Sequence, residues 1–217
     1  MNVQQHSGIS GRACAWTAAA CTAAFIALYS WSMHTRSGQR IDQAALEWTL
    51  HAIPPGSDLW QRLSLLNELP VIVATLGGVG VLACAWIRRQ PLVTLVIPAL
   101  AAGAAIGAAQ LLKHVILTRP WLGVVDDALN QFPSGHTTLA AAAAVALMLA
   151  VPGRARALAI IVGALVSVIV AAGTWLMGWH RPSEVVAALL VVAVFGSLGA
   201  WVITAADRKR SRAAAEV

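Results

Sequence analysis

The chain has 217 residues, of which 59% are hydrophobic and only 11% charged, and its mean hydropathy is +0.72. That composition lies outside the soluble globular class and points to a multi-spanning membrane protein. The formal charge of +6 would suit a nucleic-acid binder, but most basic residues flank apolar segments, where orientation in a bilayer accounts for them and no nucleic-acid partner is implied.

A spanning helix takes roughly 20 mostly apolar residues, and six stretches reach or approach that length: 14–33, 69–87, 92–112, 137–151, 158–179 and 185–205. The expected fold is therefore all-α, a bundle of six transmembrane helices forming one integral membrane domain over residues 1–217, with a basic tail at 206–217. The first stretch is longer than a signal-peptide apolar core and lacks an Ala-x-Ala-like site after Tyr29, so it reads as a retained anchor. Between the first two spans, residues 34–68 mix polar residues with Leu46, Trp48, Leu50, Ile53, Leu59, Trp60 and Leu63. That pattern predicts one or two short helices in the membrane interface. Cys14, Cys21 and Cys84 fall in apolar stretches without ligand spacing and suggest neither a disulfide nor a metal site. Trp31, Trp86, Trp121, Trp179 and Trp201 lie near the expected helix ends, as interfacial anchors do.

Five connections alternate between the two membrane faces. Arg12, Arg88, Arg89, Arg154, Arg156 and the tail residues Arg208, Lys209, Arg210 and Arg212 gather on one of them. The positive-inside rule makes that face cytoplasmic, with both termini there, and predicts a multi-pass plasma-membrane protein.

Before the fourth stretch stands Pro-Ser-Gly-His at 133–136. A helix starting there aims its unpaired N–H groups and the positive end of its dipole beyond Pro133, a cradle for phosphate or another anion. Gly135 admits an oxyanion close to the backbone, Ser134 offers a hydroxyl, and His136 is able to exchange protons near neutral pH. By topology, two further groups share this face: Lys113 with Arg119 and Pro120, and His180, Arg181, Pro182, Ser183 and Glu184. Taken singly, Lys113 reads equally as a snorkelling lysine and the last group as a plain helix start. Their convergence on one face favours a single pocket holding two histidines, several cations, a carboxylate and a helix N-terminus.

These residues resemble the type 2 phosphatidic acid phosphatase superfamily, which also contains the vanadium haloperoxidases. That family's pattern is a lysine and an Arg-Pro, then Pro-Ser-Gly-His, then a Ser-Arg followed by a histidine and, four residues on, an aspartate. Here Lys113 precedes Arg119 and Pro120 by one residue fewer than usual. Gly173 and Thr174 stand where Ser-Arg is expected, and Glu184 replaces the aspartate. The core motifs span 113–184.

The resemblance implies a lipid phosphatase acting through a phosphohistidine. His180 is the expected nucleophile, Glu184 its orienting acceptor, and His136 the general acid and base. Lys113, Arg119, Ser134 and Gly135 are expected to bind phosphate, with Arg181 supplying the charge that Thr174 does not. The scheme takes no metal and no cofactor; Asp126 and Asp127, the acidic pair near the site, suit a magnesium ion less well than a solvated loop. The expected partner is a membrane lipid carrying a phosphate or pyrophosphate, either an isoprenoid carrier or a glycerolipid, entering from the outer leaflet. The alternative is a non-catalytic relative that binds lipid or acts as a scaffold.

Overall fold

The computed structural model describes residues 10–87, 89, 95–124, 130–151 and 154–215. Arg88, the first residues of the expected third span and the pair Asp126 and Asp127 lie outside them. The described chain is all-helical. Helix α1 spans Gly11–His34, α2 Arg36–Ala52, α3 Asp58–Ser64, α4 Leu69–Ile87, α5 Val96–Leu111, α6 Gly135–Ala150, α7 Arg154–Leu176 and α8 Pro182–Ala215. A 3₁₀ turn, Leu65–Glu68, joins α3 to α4, and a π-helical turn, Leu112–Ile116, ends α5.

Five helical runs are long and apolar enough to cross a membrane: Gly11–His34, Asp58–Ile87, Val96–Ile116, Ala155–Leu176 and Pro182–Ala215. The expected fourth span is α6, which has 16 residues and is about 24 Å long at 1.5 Å per residue. It does take its first turn from the Ser-Gly-His stretch. Although short, α6 is the centre of the bundle and packs against α4, α5, α7 and α8. Alanines at 140, 141, 142 and 144 give it a narrow, buried surface, and its neighbours answer with glycines. A Cβ placed on Gly77 of α4 or Gly163 of α7 would stand 3.0 Å from the Cβ of Ala143 or Ala144, and one on Gly196 of α8 would meet Val145 at 2.9 Å. Three helices thus approach α6 at one level, the close packing that small residues permit between helices in lipid.

Helix ends follow local chemistry. The side-chain oxygen of Ser10 accepts the Ala13 N–H at the start of α1, and Thr35 does the same for Gly38 at the start of α2. Helix α7 stops at Leu176, before Gly178, whose φ of +71° favours glycine. The tail beyond 205 is not a separate segment in the described residues: α8 continues through it to Ala215. The beginning of α1 and the end of α8 are neighbours, with Gly11 against Trp201 and Arg208. Arg208, one of the basic residues expected on one face, therefore lies beside the start of α1.

Residues 34–68 are helical, as expected, but α2 is more than an interfacial ornament. Its exposed side carries Ile41 and Trp48, while Gln39, Asp42 and Thr49 are buried, and it packs on α1, α7 and α8. Close approach to α1 depends on Gly38, where a Cβ would collide with the Trp31 carbonyl.

Candidate active site

The Pro-Ser-Gly-His stretch forms the N-terminus of α6. Ser134 is the N-cap, and its hydroxyl oxygen accepts the Thr137 N–H at 3.4 Å. Its own N–H is not available to a ligand, because it donates to the Glu184 carbonyl at 2.9 Å. Of the groups expected to form a cradle around Ser134 and Gly135, this leaves the N–H groups of Gly135 and His136 in the first turn of α6. The stretch is pinned from behind by Phe132, fully buried with its ring 5.4 Å from Phe25 and 5.6 Å from Tyr29 of α1. The peptide bond between Phe132 and Pro133 is cis.

Across from it, α8 begins with Pro182 after the bend that carries His180 and Arg181. The side chain of Glu184 reaches back to accept the Arg181 N–H at 3.1 Å, one half of a capping box. The same carboxylate oxygen accepts from His180 Nδ1 at 2.8 Å. The other, Oε1, faces Arg181 Nη1 at 3.3 Å and Arg119 Nη1 at 3.9 Å. A fully buried carboxyl surrounded by these donors is held as the anion. A carboxylate oxygen at Nδ1 accepts a hydrogen bond from that nitrogen and turns Nε2 to the other side of the ring. His180 itself is 5% exposed. Its ring centroid is 6.3 Å from that of His136, which in turn lies 6.3 Å from the Trp179 ring. His136 is exposed.

Lys113 sits in the π turn, where the Leu117 N–H bonds to the Leu112 carbonyl at 2.8 Å. Its Nζ donates to Gln131 at 3.0 Å, and it lies within Coulombic reach of both Glu184 and His136. Asn130 closes this loop, donating to the Lys113 and Leu117 carbonyls at 3.0 Å each and accepting the Phe132 N–H. Contacts thus link Arg119, Arg181 and His180 to Glu184, His136 to His180, and the main chain of Ser134 to that of Glu184. Thr174, where the family pattern has arginine, is 2% exposed. Its carbonyl accepts the N–H groups of Trp179 and His180, so it shapes the bend without adding charge. The donors of Arg181 engage Glu184 and Gln43.

Sequence reasoning missed the contribution of α2. Gln39 donates to the carbonyls of Met33 and Pro120 at 2.8 and 3.0 Å, fixing the loop that holds Arg119. Asp42 accepts the Ser183 N–H at 3.0 Å and its hydroxyl at 2.6 Å, capping α8 from another helix. Burial pushes the Asp42 carboxyl above its ordinary range, against the pull of those two bonds. Gln39, Asp42 and Gln43 follow the i, i+3, i+4 spacing of one helix face. A polar stripe on a helix expected in the interface was the available signal.

The PAP2 superfamily model matches residues 94–209, more than half of the chain and all of the motif-bearing residues. The chain belongs to the PAP2 superfamily. Its fold is similar to that in the crystal structure of the first transmembrane PAP2 type phosphatidylglycerolphosphate phosphatase from Bacillus subtilis. The two share 18% sequence identity with a TM-score of 0.66, over 85% of this chain and 94% of that one. No curated protein matches the sequence. With its apolar helices, this PAP2 chain is a multi-pass membrane protein.

Proposed function

We propose that this PAP2 protein is a lipid phosphatase that transfers phosphate through His180. The observation that carries the reading is the His180 and Glu184 pair: a buried imidazole whose Nδ1 is tied to a carboxylate at 2.8 Å while its ring faces a second histidine. Nε2 of His180 attacks phosphorus, and the bond from phosphorus to the lipid oxygen breaks. His136 gives its proton to that oxygen, releasing the lipid alcohol or lipid phosphate. A water then attacks the phosphohistidine, losing a proton to His136, and inorganic phosphate leaves with His180 restored. Lys113, Arg119 and the N–H groups of Gly135 and His136 neutralise the transferring phosphoryl oxygens, an electrostatic contribution that dominates in phosphoryl transfer.

On this reading the site lies where α6 and α8 begin, at the end of α8 away from Arg208 and Arg212. With the positive-inside orientation, it faces outward in the plasma membrane and takes its lipid, an isoprenoid carrier or a glycerolipid, from the outer leaflet. The roles assigned here use only side-chain and backbone groups of the chain.

A second reading, a lipid-binding relative without turnover, draws on Thr174, which leaves the cradle one cation short of the family pattern. One experiment separates them: phosphate release by the detergent-purified protein from lipid mono- and diphosphates, with and without chelator, beside His136→Ala and His180→Ala. Release that persists with chelator and vanishes in both variants is the expected result. A folded protein that releases nothing from any of these lipids supports the binding-only relative.

A further inference from the structure

Gln43 lies outside the 94–209 stretch that the family model matches, yet it is bonded to a residue between His180 and Glu184. Arg181 is 6% exposed. Its Nε and Nη2 donate to one acceptor, Gln43 Oε1, at 3.0 and 2.9 Å, and its Nη1 reaches Glu184 Oε1 at 3.3 Å. Two donors on a single oxygen fix the plane of the guanidinium. The acceptor is itself oriented, because the Gln43 amide nitrogen donates to Glu47 at 3.0 Å and so turns its oxygen towards Arg181. The helix behind these contacts is anchored by Asp42 on Ser183.

We infer that Arg181 and Gln43 are positioning residues for the nucleophile: Gln43 holds Arg181, Arg181 holds Glu184 Oε1, and Glu184 thereby presents its other oxygen to His180 Nδ1. The inference rests on the phosphohistidine reading above and gives Arg181 a role different from the phosphate contact that its position beside His180 suggests. Without the guanidinium, Oε1 loses its nearer cation and keeps Arg119 at 3.9 Å. The carboxylate is then freer to turn about its terminal bond, and the angle of the His180 ring is less well defined. A misaligned nucleophile slows the chemical step while leaving the phosphate cradle of Lys113, Arg119 and the α6 N-terminus in place.

The test uses the full-length protein in detergent, after wild-type release of phosphate and its loss in His180→Ala have established the parent reaction. Arg181→Leu and Gln43→Leu are compared for kcat, KM and inhibition by inorganic phosphate, with thermal unfolding recorded for each. Loss of supporting contacts behind an active group typically costs 10- to 100-fold, so kcat is expected to fall about 100-fold in Arg181→Leu and about 10-fold in Gln43→Leu. KM and the phosphate inhibition constant should stay within about twofold in both variants, because the interactions removed do not bind substrate in the ground state. Gln43→Glu, which retains an oxygen acceptor for the guanidinium, should recover most of the loss in Gln43→Leu. A tenfold rise in the phosphate inhibition constant in Arg181→Leu would make Arg181 a phosphate ligand and overturn the inference. So would wild-type kcat in a folded Gln43→Leu. Should Arg181→Leu fail to fold, the two Gln43 variants decide the matter by the same criteria. Absence of wild-type turnover would instead remove the parent reading.

Discussion

Helices α6 and α8 run side by side from the motif-bearing end of the bundle to the arginine end, and the two ends are built to different standards. At the motif end, Ser134, Thr137, Thr138 and Glu184 are all at or below 1% exposure, and each makes a hydrogen bond. At the other end the same helices, with α1 and α7, border a cavity of about 500 Å³ whose lining includes Cys14, Met148, Arg156, Gly163, Ser197 and Ala200. Buried hydrogen-bonded groups are thus concentrated at the motif end, while the other end is held by close contacts between small residues. Nearer the arginine end, small residues keep the helices in contact without filling the space. The lesson is that precision here is local, and substitutions at the two ends should have different kinds of effect.

The sharpest way to expose that difference begins with His180→Ala, expected to lower turnover by at least about a thousandfold in a protein that still folds, as loss of a nucleophile does elsewhere; phosphate release measures it. Glu184→Gln comes next. It keeps the shape but lets an amide face His180 Nδ1, and turnover should fall about a hundredfold, visible in kcat more than in KM. Arg119→Ala removes one charge from the transferring phosphoryl group and should also cost about a hundredfold in kcat/KM, with weaker inhibition by inorganic phosphate. Gly163→Leu belongs to the packing of α7 on α6. Its side chain would enter space occupied by Ala144, so a stability loss of about 1–3 kcal/mol should appear in thermal unfolding. The smallest effect belongs to the cavity: Ser197→Leu adds apolar volume where there is room, and activity should remain within about twofold. A large loss of activity in Ser197→Leu would show that the two ends are coupled.

Much of this architecture was legible in the sequence because membranes and motifs speak in strong signals. Apolar length marked the spanning helices, and alternation of faces brought three distant groups of residues to one end. The boundaries were less legible for identifiable reasons. The third apolar stretch ends in a π turn around Lys113, a widening that no spacing rule announced. The sixth does not stop at residue 205, because arginine, lysine and alanine are good helix formers and carry α8 to Ala215. In the site, Arg119, His136, His180, Arg181 and Glu184 lie close together, but what each hydrogen-bonds to was beyond reach. Arg181 is expected from its place beside His180 to bind phosphate, and its bonds to Gln43 and Glu184 could not be read from the sequence. Likewise, α2 looked like a helix lying on the surface. Its function is carried by three polar side chains whose partners are 81 to 141 residues away in sequence.

The main-chain bond from the Ser134 N–H to the Glu184 carbonyl has a consequence for how the two histidines stay in register. It links the first turns of α6 and α8 through atoms that every non-proline residue possesses. The bond itself therefore does not depend on the Ser134 and Glu184 side chains, which make separate contacts of their own. A change of the Glu184 side chain thus disturbs His180 and Arg181 directly, while the main-chain link that ties the two helix starts together stays available.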